Sequence, residues 1–267
     1  MRPFELILFS VDATFIRRAV AAGVSAVIVD WEAEGKELRQ LGADTEINRQ
    51  SVDDLRRVRA ATATTVLCRV NAFSPGTAGE IEDAVAAGVD EILLPMVRTA
   101  DEVEAALALI DSRCRLGILV ETRAALDAAD ALARLPLSRV YVGLNDLAIE
   151  RRTPAIFAPL VDGTLDALRP VFGVPFGFGG LTLPDRGSPI PCRLLIGELA
   201  RLRCSFSFLR RSFHRDIAGR DLAVEIPILR SAIEAALARP ADAVARDRAE
   251  LVDAVQEHRA GRLPSVA

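Results

Sequence analysis

Leu116-Gly117-Ile118-Leu119-Val120-Glu121-Thr122 and Val140-Tyr141-Val142-Gly143-Leu144-Asn145-Asp146 are two short apolar runs, each closed by one carboxylate, and they set the reading of the whole chain. Apolar runs of this length, rich in Val, Ile and Leu, are the pattern of strands covered on both faces of a parallel sheet. Between them Ala124 to Leu135 has a helical period, so the unit is strand, helix, strand. Outward from that unit, strand-like runs recur at Leu6 to Phe9, Ala26 to Val29, Thr65 to Arg69, Glu91 to Leu94, Pro175 to Phe178 and Cys204 to Leu209. Helical stretches alternate with them: Ala13 to Ala22, Val52 to Ala61, Ala78 to Ala87, Thr99 to Ile110, Ala158 to Phe172, Leu194 to Leu202 and Leu222 to Ala238. A faint internal repeat supports the alternation, since Ala21-Ala22-Gly23-Val24-Ser25-Ala26-Val27-Ile28 and Ala86-Ala87-Gly88-Val89-Asp90-Glu91-Ile92-Leu93 are each a helix end, a Gly stop and a strand. Eight such units with right-handed crossovers predict an α/β fold of the (β/α)₈ TIM-barrel type, with a doubly wound open sheet as the competitor. Residues 1–239 read as the barrel. Residues 240–267, helical from Ala241 to Arg259, read as an additional C-terminal segment packing on the barrel or on a neighbouring subunit.

Composition narrows the function classes. The 267 residues are 51% apolar, enough for one large core. A net charge of -4 with scattered arginines argues against nucleic acid or an anionic membrane as partner, leaving a small molecule or another copy of the chain. Nowhere do about 18 uncharged apolar residues run together, and Phe4 to Phe9 is too short for a signal peptide, so the expectation is a soluble, cytoplasmic protein. Cys68, Cys114, Cys192 and Cys204 have no metal-ligand spacing and read as reduced core residues. A mean hydropathy of +0.25, together with a C-terminal helix that has no place in the barrel count, points to a homo-oligomer.

In a barrel of this kind, chemistry is built where strands end. The ends read Ser10, Asp30-Trp31-Glu32, Arg69-Val70-Asn71, Pro95-Met96, Glu121-Thr122, Gly143 to Asp146, Gly179-Gly180 and Arg210-Arg211. Acids at ends two, five and six, with an arginine at end three, make a rim suited to a divalent cation and an anionic substrate. Glu121 and Asp146 are the metal-binding candidates, and Mg²⁺ suits them because a hard ion on one or two carboxylates keeps positions open for water and substrate. Helix capping and salt bridging are the other use of acids at such places. Arg69 is the candidate for a substrate carboxylate, or else a structural partner of Asp30 or Glu32. Gly143, Leu144, Asn145 and Asp146 form a turn whose N–H groups offer a carboxylate cradle. Gly177, Gly179 and Gly180 either admit a ligand to the backbone or ease a barrel corner. His214 and His258 read as surface residues. Lys36 is the only lysine and lies in a polar segment after strand two, which disfavours Schiff-base chemistry on a strand-borne lysine. Nicotinamide, P-loop and serine-hydrolase fingerprints are absent from the sequence.

Taken together, Asp30-Trp31-Glu32, Arg69-Val70-Asn71, Leu94-Pro95-Met96, Val120-Glu121-Thr122-Arg123 and Gly143-Leu144-Asn145-Asp146-Leu147 resemble the HpcH/HpaI aldolase and citrate lyase β-subunit family. The resemblance implies a phosphoenolpyruvate/pyruvate-type barrel, Mg²⁺ or Mn²⁺ on Glu121 and Asp146, and Arg69 at the substrate's oxygens. It further implies cleavage or formation of a C–C bond beside the carbonyl of a small 2-oxo or hydroxy acid, through a metal-bound enolate, in trimers or hexamers. Hydrolysis or other chemistry on the same platform, or a catalytically idle ligand-binding barrel, are the alternatives. One departure stands out: where the aldolase branch has His and the lyase branch Asp, this chain has Ala33. Glu32, Glu34 and Lys36 are the candidates to replace the missing proton carrier, and the segment from Glu34 to Asn48 reads as a working loop over the site.

Overall fold

The computed structural model describes residues 3–33 and 50–261. Its strands are β1 (Glu5–Phe9), β2 (Ala26–Asp30), β3 (Thr65–Arg69), β4 (Glu91–Leu94), β5 (Arg115–Val120), β6 (Arg139–Val142), β7 (Phe176–Leu181) and β8 (Phe206–Leu209). They pair in chain order, all parallel, and β8 returns to β1, so the sheet is a closed barrel rather than an open doubly wound one. Outside it run α1 (Ala13–Ala22), α2 (Val52–Ala61), α3 (Thr77–Ala86), α4 (Ala100–Ile110), α5 (Arg123–Asp127), α6 (Ala129–Leu132), α7 (Leu144–Glu150), α8 (Thr164–Leu168), α9 (Cys192–Arg201), α10 (Arg211–Ile217), α11 (Leu222–Leu237) and α12 (Ala241–Arg259).

Alternation along each strand divides the core in two. Ile7, Phe9, Ile28, Leu67, Leu93, Leu119, Tyr141, Phe206 and Phe208 point inward and fill the barrel as one cluster. Their neighbours, Leu8, Val27, Cys68, Ile92, Ile118 and Val140 among them, meet the helices in the outer cluster. Polar residues of the inward register are thereby driven to the two mouths. At the N-terminal mouth Arg139 grips Glu91 through Nε (2.6 Å) and Nη2 (2.9 Å) and reaches Glu5 through Nη1 (2.9 Å).

Local signals set the helix ends. Asp12 caps α1 by accepting from Thr14 and Phe15 N–H groups, while Ser51 and Thr99 form capping boxes with Asp54 and Glu102. The Gly stops of the internal repeat are real: Gly23 and Gly88 sit at φ 114° and 85°. The span Ala158 to Phe172 is not the single helix expected. Pro159 and Pro170 fall in separate 3₁₀ turns on either side of α8, and Gly163 (φ 88°) breaks the chain between them. α12 has a seat within the chain: Leu251 and Val255 are buried, Arg248 bonds Glu198 of α9 (2.7 Å) and Arg193 of α9 bonds Glu250 (2.9 Å). That helix therefore supplies no reason of its own for a partner subunit.

β7 is the irregular strand. Its register with β8 shifts between Gly177 and Gly180, and Gly179 adopts φ 59°. The Gly179 carbonyl accepts from Tyr141 Oη (2.7 Å) and Ser207 Oγ (2.8 Å), and a Cβ on Gly177 would lie 2.4 Å from the Phe206 carbonyl oxygen. These contacts favour the barrel-corner reading of the three glycines. Gly177→Ala is expected to cost about 2 kcal/mol or more, lowering the melting temperature by roughly 4–8 °C. Gly173→Ala, where a Cβ meets nothing within 4 Å, should melt close to the native protein. Equal melting of the two variants by calorimetry would refute the crowding argument.

Candidate active site

At the C-terminal mouth the strand ends converge on a buried arginine. Arg69, 2% exposed, donates through Nε (2.8 Å) and Nη2 (2.7 Å) to both oxygens of Asp30, which is fully buried. Its Nη1 lies 2.9 Å from Glu32 Oε2, an ion pair without hydrogen-bond alignment. The structural reading of Arg69 is met by its pairing with Asp30 and Glu32, and Nη1 and Nη2 each carry a further N–H in the mouth. The strand-two end is pinned in turn, because Trp31 N–H bonds the Arg69 carbonyl (2.8 Å) and Ala33 N–H bonds Asn71 Oδ1 (2.9 Å).

Glu121, 1% exposed, follows β5 and faces the same space. Met96, held at φ 53°, donates its N–H to Glu121 Oε1 (2.9 Å). A left-handed conformation is rare outside glycine, and here it aims an amide at the carboxylate. Thr122 locks the position by accepting from Ala125 N–H (3.0 Å) and donating to the Val97 carbonyl (2.6 Å). Gly143 leaves the room: a Cβ there would lie 2.1 Å from Glu121 Oε2. Asp146, in the first turn of α7, completes the crowding. Burial first, then the charges of Asp146 and Glu32, push the Glu121 carboxyl up to about 8.

Glu121 and Asp146 bring carboxylate oxygens to this mouth, and a divalent cation would find ligands of the right chemistry there. The donors are hard oxygens, as Mg²⁺ or Mn²⁺ requires. Among the described residues no group of three or more His, Cys, Asp or Glu is gathered for a metal, so Glu121 and Asp146 would leave most coordination positions to water and substrate. A cavity of about 530 Å³ opens beside Asp146, lined also by Met96, Arg123, Ile149, Glu150, Arg151 and Arg152, and Glu121 does not line it. Gly143 and Leu144 to Asp146 are brought to this mouth as expected, with the turn continuing into α7. Glu34 and Lys36, and with them the loop to Asn48, lie outside the described residues.

Arg210 follows β8 at the same mouth. Its guanidinium stands 4.7 Å from the centre of the Phe9 ring, and that of Arg69 stands 5.5 Å from the same ring. Burial, then the Arg69 charge, draws Arg210 below its ordinary value. His214 is no surface residue: it is half-buried and its Nε2 lies 2.6 Å from the Phe9 carbonyl, bracing α10 against β1.

A closed parallel barrel whose acids and arginines gather at the C-terminal mouth is the architecture of a barrel enzyme. The sequence model of the HpcH/HpaI aldolase/citrate lyase family matches residues 6–155, and the chain belongs to that family, which makes it an enzyme of the lyase and aldolase kind. A crystal structure of an HpcH/HpaI aldolase from Desulfitobacterium hafniense DCB-2 has a TM-score of 0.59 at 12% identity, covering 90% of this chain and 95% of that one, a likeness of fold. No curated protein sequence matches the chain. No described helix is long and apolar enough to cross a membrane.

The raised Glu121 carboxyl has a consequence for stability in chelator. The folded chain holds this proton to about 8 whereas the unfolded chain releases it near 4.5, so the contribution is full below pH 4.5 and is lost as pH rises through 8. Melting temperature in EDTA should fall across that window, and Glu121→Gln should flatten the fall. A Glu121→Gln profile parallel to that of the native protein would show the carboxyl to be ordinary.

Proposed function

We propose that the chain is a divalent-metal-dependent carbon–carbon lyase or aldolase acting on a small 2-oxo or hydroxy acid without a Schiff base. The reading is carried by one observation, the buried Glu121 carboxylate crowded by Asp146 and Glu32 beside the Arg69 guanidinium. Glu121 and Asp146 would hold Mg²⁺ or Mn²⁺, which when bound polarises the carbonyl of a 2-oxo acid. Everything else falls to the chain's own groups. Asp30 and Glu32 fix the plane of Arg69, so its spare N–H groups wait where negative charge grows on the substrate oxygen, and no reorganisation is needed in the transition state. The leading N–H groups of α7, at Leu144 and Asn145, have no intrahelical acceptor and suit the substrate carboxylate. Gly143 keeps the backbone clear of Glu121. Met96 and Thr122 hold the carboxylate against the wall.

Proton handling is the incomplete part. Ala33 is placed at the mouth by Asn71 but carries only a methyl group. Glu32 serves in this reading as a positioning partner of Arg69, which leaves Glu34 and Lys36 as the candidates for moving a proton. A catalytically idle barrel is the second reading, favoured by Ala33 alone.

Melting with Mg²⁺ and oxalate, a planar mimic of pyruvate enolate, tests the site. Oxalate is expected to raise the melting temperature only when metal is present, by mass action, and Glu121→Gln and Asp146→Asn should each abolish the rise while remaining folded. A metal-independent rise would remove the metal pair. Arg69→Lys keeps the charge and loses the fork that Asp30 grips, so kcat/KM for C–C cleavage should fall by about tenfold or more. Unchanged kinetics would make Arg69 purely structural, and oxalate binding without turnover on any 2-oxo or hydroxy acid would favour the idle barrel.

A further inference from the structure

α3 begins differently from its neighbours. The helices on either side of it each start with an acid that turns back on its own chain: Asp54 of α2 accepts from Ser51 N–H (2.7 Å), and Glu102 of α4 accepts from Arg98 N–H (2.8 Å) and Thr99 N–H (3.4 Å). α3 starts after Gly76 with no side-chain cap, and the acid of its first turn, Glu80, reaches out of the helix instead. Glu80 Oε2 accepts from Asn71 N–H (2.9 Å), and Oε1 accepts from Asn71 Nδ2. This half-buried carboxylate serves the end of β3 rather than its own helix.

What it does for Asn71 follows from donors and acceptors. A side-chain amide is nearly symmetrical in shape and can present its oxygen or its NH₂ group in a given direction. An ionised carboxylate only accepts, so Glu80 holds the NH₂ group to its own side and leaves Oδ1 facing the end of β2. There Oδ1 takes the Ala33 N–H (2.9 Å). That bond continues the sheet. β2 and β3 pair in register up to Asp30 and Arg69, Trp31 N–H bonds the Arg69 carbonyl (2.8 Å), and in a parallel ladder the next acceptor, for Ala33, would be the Asn71 carbonyl. The Asn71 side chain takes that rung instead. Glu32 lies between the last two rungs, and they hold it at the height where its carboxylate meets Arg69 Nη1 (2.9 Å).

We propose that Glu80 is a positioning residue for Arg69: by orienting the Asn71 amide it fixes the strand-two end, and with it the carboxylate that holds one side of the guanidinium. Its importance for catalysis rests on the reading of Arg69 as the group that meets the substrate's oxygens, whereas its effect on the guanidinium shows without any ligand.

The measurement is NMR exchange of the Arg69 Nε–H proton in the ligand-free protein, with calorimetric binding of oxalate in Mg²⁺ beside it. Glu80→Gln is compared with Glu102→Gln, which removes a first-turn carboxylate that serves α4 alone. Glu80→Gln is expected to speed Arg69 Nε–H exchange by about tenfold or more and to weaken oxalate by a similar factor, while Glu102→Gln leaves both near native. Glu80→Asp keeps the charge but falls one methylene short; it should act in the same direction, which covers the case in which Glu80→Gln does not fold. Asn71→Ala should match Glu80→Gln, and the two together should do no more than Asn71→Ala alone. Native-like Arg69 exchange in Glu80→Gln or Glu80→Asp, an equal effect of Glu102→Gln, or additive losses in the double variant overturns the role. So does native oxalate affinity in Glu80→Gln. Failure of the native protein to bind oxalate with metal, while Arg69 exchange still depends on Glu80, would overturn the metal reading and leave the positioning role standing.

Discussion

The site depends on the neutralisation of one buried guanidinium. Arg69 projects inward from the last position of β3, where almost no water reaches it, and taking such a charge from water costs several kcal/mol unless partners are close and aligned. Asp30 supplies two aligned bonds and Glu32 a near contact. This settles more than stability. The strand-two end must hold its position for both acids to meet one fork, and the bonds from Trp31 to Arg69 and from Ala33 to Asn71 hold it there. Asp30 and Glu32 meet Arg69 on one side of the mouth, and Glu121 lies on the other with Asp146 near it.

The other mouth of the same barrel shows what a purely structural arginine looks like. Arg139 is buried and bidentate on Glu91, as Arg69 is on Asp30, and its guanidinium stands 4.9 Å from the Phe206 ring. There the arrangement is closed: Glu5 takes the remaining donor, Arg115 and Ser138 also reach Glu91, and every charge finds its counterpart. At the C-terminal mouth the arrangement differs, with Glu121 raised to about 8 by burial first and then by Asp146 and Glu32, and Arg210 without an ion pair among the described residues. An arginine–carboxylate pair does not by itself mark a site in this fold.

The strands were legible because each is short, apolar and bounded, and closure into a barrel followed from their number and order. Glu121 and Asp146 were visible as isolated acids at strand ends. What the pattern could not carry was side-chain reach. Whether Arg69 turns to a neighbour or to a substrate has the same sequence signature, and the structure shows the neighbours, Asp30 and Glu32. Periodicity also ran through Ala158 to Phe172 because apolar spacing persisted there, although Pro159, Gly163 and Pro170 were present to break it. Arg210 stood in view at the end of β8, but only the ring of Phe9, two hundred residues earlier in the chain and adjacent across the β8 to β1 closure, distinguishes it from the exposed Arg211 beside it.

Ala33 separates two jobs that enolate chemistry normally joins. Stabilising negative charge is electrostatic work, done by groups that need only be fixed in place, and this chain has fixed them firmly: Arg69 by two acids, Glu121 by Met96 and by the space at Gly143. Moving a proton needs a side chain that titrates at a stated distance from a carbon or oxygen. At position 33, where the family resemblance leads one to expect His or Asp, the backbone is held by Asn71, itself held by Glu80, and the side chain is a methyl group. Met96, at φ 53°, aims its amide at Glu121, and Arg210 sits against the Phe9 ring, so the charged groups of this mouth are fixed in place while position 33 offers only a methyl group.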